Sequence, residues 1–187
     1  MKYPAAALLL LATPLLFAAQ APAAKKHKHM PPEMSSGDMP MKHAPAPRSN
    51  SLFVTGVEGA TATFNPDDLK SMPRVALKVH NGHTDADEIY EGVPVSEFLK
   101  RVQPKPGGKK ISRNLTVLLF GATDNYHIVL TACDVDPKCH NGTVLIADTM
   151  DSKPLEADGA FKLIISEDKK PSRWVHNLNS ITVKAIE

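Results

Sequence analysis

Cysteine is scarce, with two in 187 residues. That excludes a disulfide-dense miniprotein and a cysteine-rich zinc module. Aromatics are few: six Phe, three Tyr and one Trp. Neither sign of charge dominates, since 22 basic and 20 acidic residues leave a net charge of +2. A dedicated nucleic-acid binder usually carries a concentrated basic face, so no nucleic-acid partner is expected. The chain has no Gly-x-Ser-x-Gly, no His-Glu-x-x-His and no phosphate-cradling Gly-Lys-Ser/Thr loop. The common hydrolase and nucleotide-binding signatures are thereby removed. No apolar run reaches the roughly 20 residues that span a bilayer. At 42% apolar and 22% charged, the composition is that of an ordinary globular chain.

What is present divides into three stretches. Residues 1–24 begin with a short basic segment, Met1-Lys2. A Leu-rich apolar run over 5–19 follows, and then the small-residue stretch Ala18-Ala19-Gln20-Ala21-Pro22-Ala23-Ala24. This order reads as a cleavable secretory signal peptide, with an uncleaved membrane anchor as the alternative. It predicts a periplasmic or secreted protein with no membrane span after cleavage. Residues 25–50 form a Met-, His- and Pro-rich linker, with four Met, three His and five Pro within 25–47. Met is the only large apolar type there, so the segment cannot offset its chain entropy by burial and is predicted to be disordered. Thioethers suit Cu(I), and imidazoles take Cu(II), Ni or Zn. His27, His29, Met30, Met34, Met39, Met41 and His43 are therefore candidate metal ligands, with copper the candidate ion. A plain low-complexity spacer is the alternative.

Residues 51–187 form the folded domain, long enough for one core. Short strands are expected at 52–56 and 60–64 about a Glu58-Gly59 turn. Asn65-Pro66-Asp67-Asp68 carries the marks of a helix start: an N-cap, proline in the first turn, and acids near the positive end. A strand is expected at 75–80. A helix is expected at 94–102, with Val95, Phe98, Leu99 and Val102 on one face. Residues 107–110 read as a loop and 115–120 as a central strand. Further strands are expected at 126–131, 143–147, 161–165 and 180–186.

Two clusters bear chemistry. Cys133 and Cys139 lie six apart, and in an exported protein such a pair is most simply a disulfide. A metal site with His140 is the alternative. His80-Asn81-Gly82-His83 places two imidazoles at a turn, followed by Asp85, Asp87 and Glu88, a set able to hold a borderline metal. A polar turn built on Asn-Gly is the plainer reading.

The segments also occur in a telling order. Ile89-Tyr90-Glu91-Gly92-Val93-Pro94-Val95-Ser96-Glu97-Phe98-Leu99 resembles the aromatic-x-Gly-Val-Pro helix start of sulfite-oxidase-type molybdopterin-binding domains. Phe120-Gly121-Ala122-Thr123-Asp124-Asn125-Tyr126 is similar to the family's Ala-x-Asp-Gly-Tyr turn. Lys153-Pro154-Leu155, Gly159-Ala160-Phe161-Lys162-Leu163-Ile164 and Arg173-Trp174-Val175-His176-Asn177-Leu178 resemble later motifs. The resemblance covers nearly all of 52–187. It implies an α+β fold, a compact mixed and antiparallel sheet domain with a few short helices. It also implies molybdopterin as a possible cofactor.

In catalytic members a Cys thiolate binds molybdenum just before the aromatic-x-Gly-Val-Pro segment. This chain reads Lys78-Val79-His80-Asn81-Gly82-His83 there. The resemblance makes His80, Asn81 and His83 candidate cleft residues, with Asp124, Asn125 and Tyr126 on a facing turn. Three readings follow. One is a catalytically degenerate module binding a small ligand or a periplasmic protein. The second is a molybdopterin-dependent oxidoreductase. The third is a metal-handling protein that uses the tail.

Overall fold

Ten strands and two short helices were traced in a computed structural model that describes residues 46–103, 112, 115–155 and 157–186. The expected signal peptide, the tail ligands up to His43 and the 107–110 loop lie outside the described residues.

The first sheet is assembled from both ends of the domain. β1 (Leu52–Thr55) and β2 (Thr61–Phe64) form a hairpin, and β1 also pairs in parallel with β10 (Leu178–Ala185). β5 (Thr116–Ala122) and β6 (His127–Thr131) continue it, giving the order β2-β1-β10-β5-β6. β5 is interior, as its apolar run predicts. In the second sheet β3 (Val75–Asn81) pairs with β4 (Ala86–Pro94), and β4 with β7 (Val144–Met150). β8 (Lys153–Pro154) and β9 (Lys162–Ile165) share the far edge of β7.

Helix α1 (Pro66–Lys70) forms because Asn65 caps it. Asn65 Oδ1 accepts from the Asp67 and Asp68 N–H groups at 2.9 and 3.1 Å, and Asp68 Oδ2 accepts from Asn65 N–H at 2.7 Å. α2 (Val95–Leu99) continues as a 3-10 turn over Lys100–Val102 and buries Val95, Phe98 and Val102. Phe98 meets Phe64 edge-to-face at 4.9 Å, which joins the helix to the first sheet. Leu52, Leu118, Phe120, Leu145, Ile146, Leu163 and Ile181 are fully buried in the same core. The result is the expected α+β fold.

Two features depart from the sequence reading. Residues 86–94 are a strand, where carboxylate loop followed by helix start was expected. The three acids Asp85, Asp87 and Glu88 mask the alternation, which is visible only in Tyr90 and Gly92 turning inward. The fold is also tied down before residue 51. Ser49 is buried, its N–H donates to Asn177 Oδ1 at 3.2 Å, and its carbonyl accepts from Ala160 N–H.

Candidate functional site

The β3–β4 hairpin turns on Asn81. Its Oδ1 accepts from His83 N–H at 2.9 Å, and its carbonyl accepts from Thr84 and Asp85 N–H at 3.2 and 2.8 Å. Asp85 adopts a left-handed φ of 54°, as Asp tolerates. Strand geometry sends successive side chains to opposite faces, so His80 and Asn81 part company.

His80 points outward, with its side chain 56% exposed. Its Nδ1 lies 3.2 Å from Asp87 Oδ1 and its Nε2 lies 3.4 Å from Asp85 Oδ1. Lys78 also reaches Asp87, at 2.9 Å. The Lys78 hydrogen bond, and then that of His80, hold the Asp87 carboxyl below the usual range. His80 forms one wall of an open groove of about 350 Å³, completed by Ser166, Glu167, Asp168 and Lys169.

Asn81 points inward and begins a buried polar network. Its Nδ2 donates to both Glu88 oxygens, at 2.9 and 3.0 Å, and Thr84 Oγ1 donates to Glu88 Oε1 at 3.0 Å. Tyr90, fully buried, donates its hydroxyl to Glu88 Oε2 at 2.7 Å. The same hydroxyl accepts from Lys162 Nζ at 2.9 Å. Lys162 is only 3% exposed and also donates to Asp158 Oδ2 at 2.8 Å. Its ammonium lies 4.9 Å from the Tyr90 ring centre and 5.8 Å from that of Trp174. Trp174 stands edge-on to Tyr90, its indole N–H donating to Ile165 O at 3.2 Å. Asp158 completes the chain through a contact with His176 Nδ1 at the surface. The network thus runs from the hairpin turn, through the interior, to the loop that precedes β10.

Electrostatics follow from this enclosure. Burial first, and then the Glu88 carboxylate, push the Tyr90 hydroxyl far above its ordinary value. That phenol stays protonated and serves as a fixed relay. Burial alone would raise Asp158, but the hydrogen bonds from His176 and Lys162 outweigh it and bring the carboxyl down to about 2.

A stability prediction follows. The Asp158 pKa is depressed in the folded state, so its contribution is present above the ordinary carboxyl value of 3.8 and is lost as pH falls toward about 2. The shift corresponds to about 2 kcal/mol. Urea unfolding across that pH window is expected to show the loss in the wild type. The Asp158→Asn variant is expected to lack this component, and an unchanged acid slope in it would rule out Asp158 as the source.

The second candidate loop sits at the end of the first sheet. Asp124 Oδ1 accepts from Tyr126 N–H at 2.9 Å, and Asn125 takes a left-handed φ of 67°. Tyr126 is 42% exposed and donates its hydroxyl to Ser172 O. The hairpin reaches the same stretch, because a Cβ on Gly82 would lie 3.3 Å from Lys169 O. Residues 166–173 therefore form a common wall between the two loops. Among the described residues no hydrogen bond or ion pair joins His80 or His83 directly to Asp124, Asn125 or Tyr126. His83 contributes its backbone N–H to the Asn81 turn, and its side chain is exposed. The turn is instead tied to the network's far end, since Thr123 N–H donates to Asn177 O, one residue after His176.

The proposed metal sets fare differently. Glu88 is taken by Asn81, Thr84 and Tyr90, away from His80. Among the described residues no group of three or more His, Cys, Asp or Glu is placed to hold a metal ion. Cys133 and Cys139 are joined as a disulfide, which uses up the alternative ligand set with His140. His140 Nε2 instead lies 3.2 Å from Glu167. His27, His29, Met30, Met34, Met39, Met41 and His43 lie outside the described residues.

Sequence reasoning missed Tyr90, Asp158, Lys162, Trp174 and His176 as members of one site. The one available signal was a lysine inside the apolar stretch Phe161-Lys162-Leu163-Ile164-Ile165. A charge at such a position is rarely buried unless it is paired.

No family model and no curated protein matches the chain in sequence. Among solved structures it is similar to the sulfane dehydrogenase SoxCD from Paracoccus pantotrophus. The identity is 17% and the TM-score 0.54, over 72% of this chain. The likeness spans 38% of the length of that protein. It shows a distant fold relation to the sulfite-oxidase-type molybdopterin-binding domains and carries no activity with it.

The residues do not fit a molybdenum ligand set. The chain's only two cysteines are bonded to each other, away from the strand that the resemblance assigns to the thiolate. At that place stands His80, an imidazole held by two aspartates.

Proposed function

We propose that this protein is an exported binding module built on the molybdopterin-domain fold and not a molybdenum oxotransferase. The observation that supports this reading is the replacement of a free thiolate by His80 on β3, with both cysteines consumed in a disulfide. The ligand-facing surface is the groove between His80 and residues 166–169. Its lining of imidazole, hydroxyl, carboxylate and ammonium groups suits a polar small ligand or a charged segment of a periplasmic protein. The buried network behind Asn81 fixes the hairpin that forms one wall, and Tyr126 braces the other through Ser172.

Protein purified from its native compartment tests the proposal by metal and pterin analysis. The expected outcome is no stoichiometric molybdenum and no fluorescent pterin. Molybdenum with pterin at one per chain would overturn the proposal in favour of the oxidoreductase reading. The Met and His content of the tail supports a second role in holding copper. Copper that co-purifies with the full chain and is lost on deletion of residues 25–45 is the result expected of that role.

A further inference from the structure

We propose that the Cys133–Cys139 disulfide is a reversible redox couple that exchanges with dithiols at the Cys139 sulfur. The cysteines are six residues apart in sequence, with Cα atoms 5.3 Å apart. A bridge over so short a loop removes less chain entropy from the unfolded state than one that closes a long loop. The loop also has a scaffold that does not need the bridge. Asp136 N–H donates to Cys133 O at 3.2 Å, and Asp136 O accepts from Cys139 and His140 N–H at 2.8 and 3.0 Å. Asp136 Oδ1 accepts from Lys138 N–H at 2.9 Å. Asp134 Oδ2 accepts from Thr131 N–H and Oγ1 at 2.7 and 2.8 Å. Between them Val135 is buried in the core. The loop thus holds its shape without the sulfur–sulfur bond. Two thiols released there stay within bonding range, which makes both opening and closing feasible in the folded protein.

Access is one-sided. Cys139 is exposed, whereas Cys133 is half-buried. Lys138 directly precedes Cys139 in sequence, and a cation near a sulfur favours its thiolate. Pro137 and Lys138 also edge an open groove of about 450 Å³ that extends to Ser96 and Lys100 on the α2 side. That groove ends at Lys138, the residue before Cys139.

The exchange balances as follows. A thiolate of the incoming dithiol attacks Cys139 Sγ, the protein S–S bond breaks, and Cys133 leaves as a thiolate that takes up a proton. The second thiol of the dithiol then attacks the mixed disulfide, and Cys139 departs as the second thiol. The dithiol is oxidised to its disulfide, and the protein is reduced by two electrons. An oxidised partner reverses both steps.

The test uses the native chain with a chelator present. Dithiothreitol is expected to make both cysteines alkylatable while near- and far-UV circular dichroism stay folded. Glutathione disulfide is then expected to restore the bridge. In single variants, Cys139 of Cys133→Ser is expected to form a mixed disulfide with glutathione disulfide about tenfold faster than Cys133 of Cys139→Ser. Lys138→Glu, added to Cys133→Ser, is expected to slow that reaction by about threefold. A bridge that yields only in denaturant, or a dichroism signal that collapses on reduction, would identify a structural staple and overturn the proposal. Equal rates for the two cysteines would overturn Cys139 as the point of attack.

Discussion

Lys162→Met is expected to lower the unfolding free energy by about 3 kcal/mol, measured by urea denaturation at neutral pH. The substitution keeps most of the side-chain volume, so little of the loss comes from a cavity. It comes from charge. Lys162 is 3% exposed and stands between Tyr90 and Asp158. Removing it leaves the Asp158 carboxylate, with a side chain 23% exposed, short of its ammonium partner. Breaking a buried pair on one side costs about 3–5 kcal/mol, and the partial exposure of Asp158 places the expectation at the low end. The Tyr90 hydroxyl loses its donor but still donates to Glu88, which limits that part of the loss. A double variant separates charge from packing. Lys162→Met combined with Asp158→Asn is expected to lose less than the two single losses added, by about 1–3 kcal/mol. Strict additivity would mean that the two side chains do not interact, and the network would then be a list of neighbours. The same variant should loosen the hairpin, because Lys162 reaches Asn81 through Tyr90 and Glu88. Faster amide exchange at His83 and Thr84 is the expected sign of this.

Local chemistry was legible in the sequence where one stretch of chain decides the outcome. Asn65-Pro66-Asp67-Asp68 forms its capping box from four consecutive residues, and the helix begins where those residues say. The apolar run ending at Phe120 has no polar face to offer water, so it takes an interior place between β10 and β6. Cys133 and Cys139 are close enough in sequence to pair without knowledge of the fold. Legibility fails where the decision is tertiary. Lys162 and Tyr90 are 72 residues apart and meet only because β4 and β9 both lie against β7. Glu88 reads as a surface carboxylate beside two histidines, yet strand alternation turns it to the Asn81 side and away from His80. The same alternation splits His80 from Asn81, which a sequence treats as one loop motif. β4 was hidden because its first half carries acids that serve the hairpin, while its second half leads into a helix with a strong signal of its own. The site residues that sequence could not group are those whose partners come from other strands.

Gly92→Ala is expected to cost about 4 kcal/mol or more, enough to leave much of the protein unfolded, since domains of this size are stable by about 5–15 kcal/mol. Gly92 is the glycine of the Tyr90-Glu91-Gly92-Val93-Pro94 segment, and its need is space. A Cβ there would stand 2.0 Å from Ile146 O and 2.6 Å from Ala147 Cα, both backbone atoms of β7. The register between β4 and β7 shifts between Glu91 and Gly92. That irregularity brings the two backbones together at this point. β7 cannot easily retreat, because β9 pairs with its other edge along Val144–Ala147 and its Ile146 and Ala147 side chains are fully buried. The strain must therefore move β4, and with it Glu88 and Tyr90, so the polar network is expected to open together with the sheet. Gly59→Ala supplies the contrast. Gly59 has a left-handed φ of 77° and nothing within 4 Å of a Cβ, so its loss is conformational only and is expected near 1 kcal/mol. Urea midpoints for the two variants measure the difference directly. If Gly92→Ala were as mild as Gly59→Ala, β7 would have to yield by more than an ångström, and the close approach of the two strands could not be what requires glycine at this position.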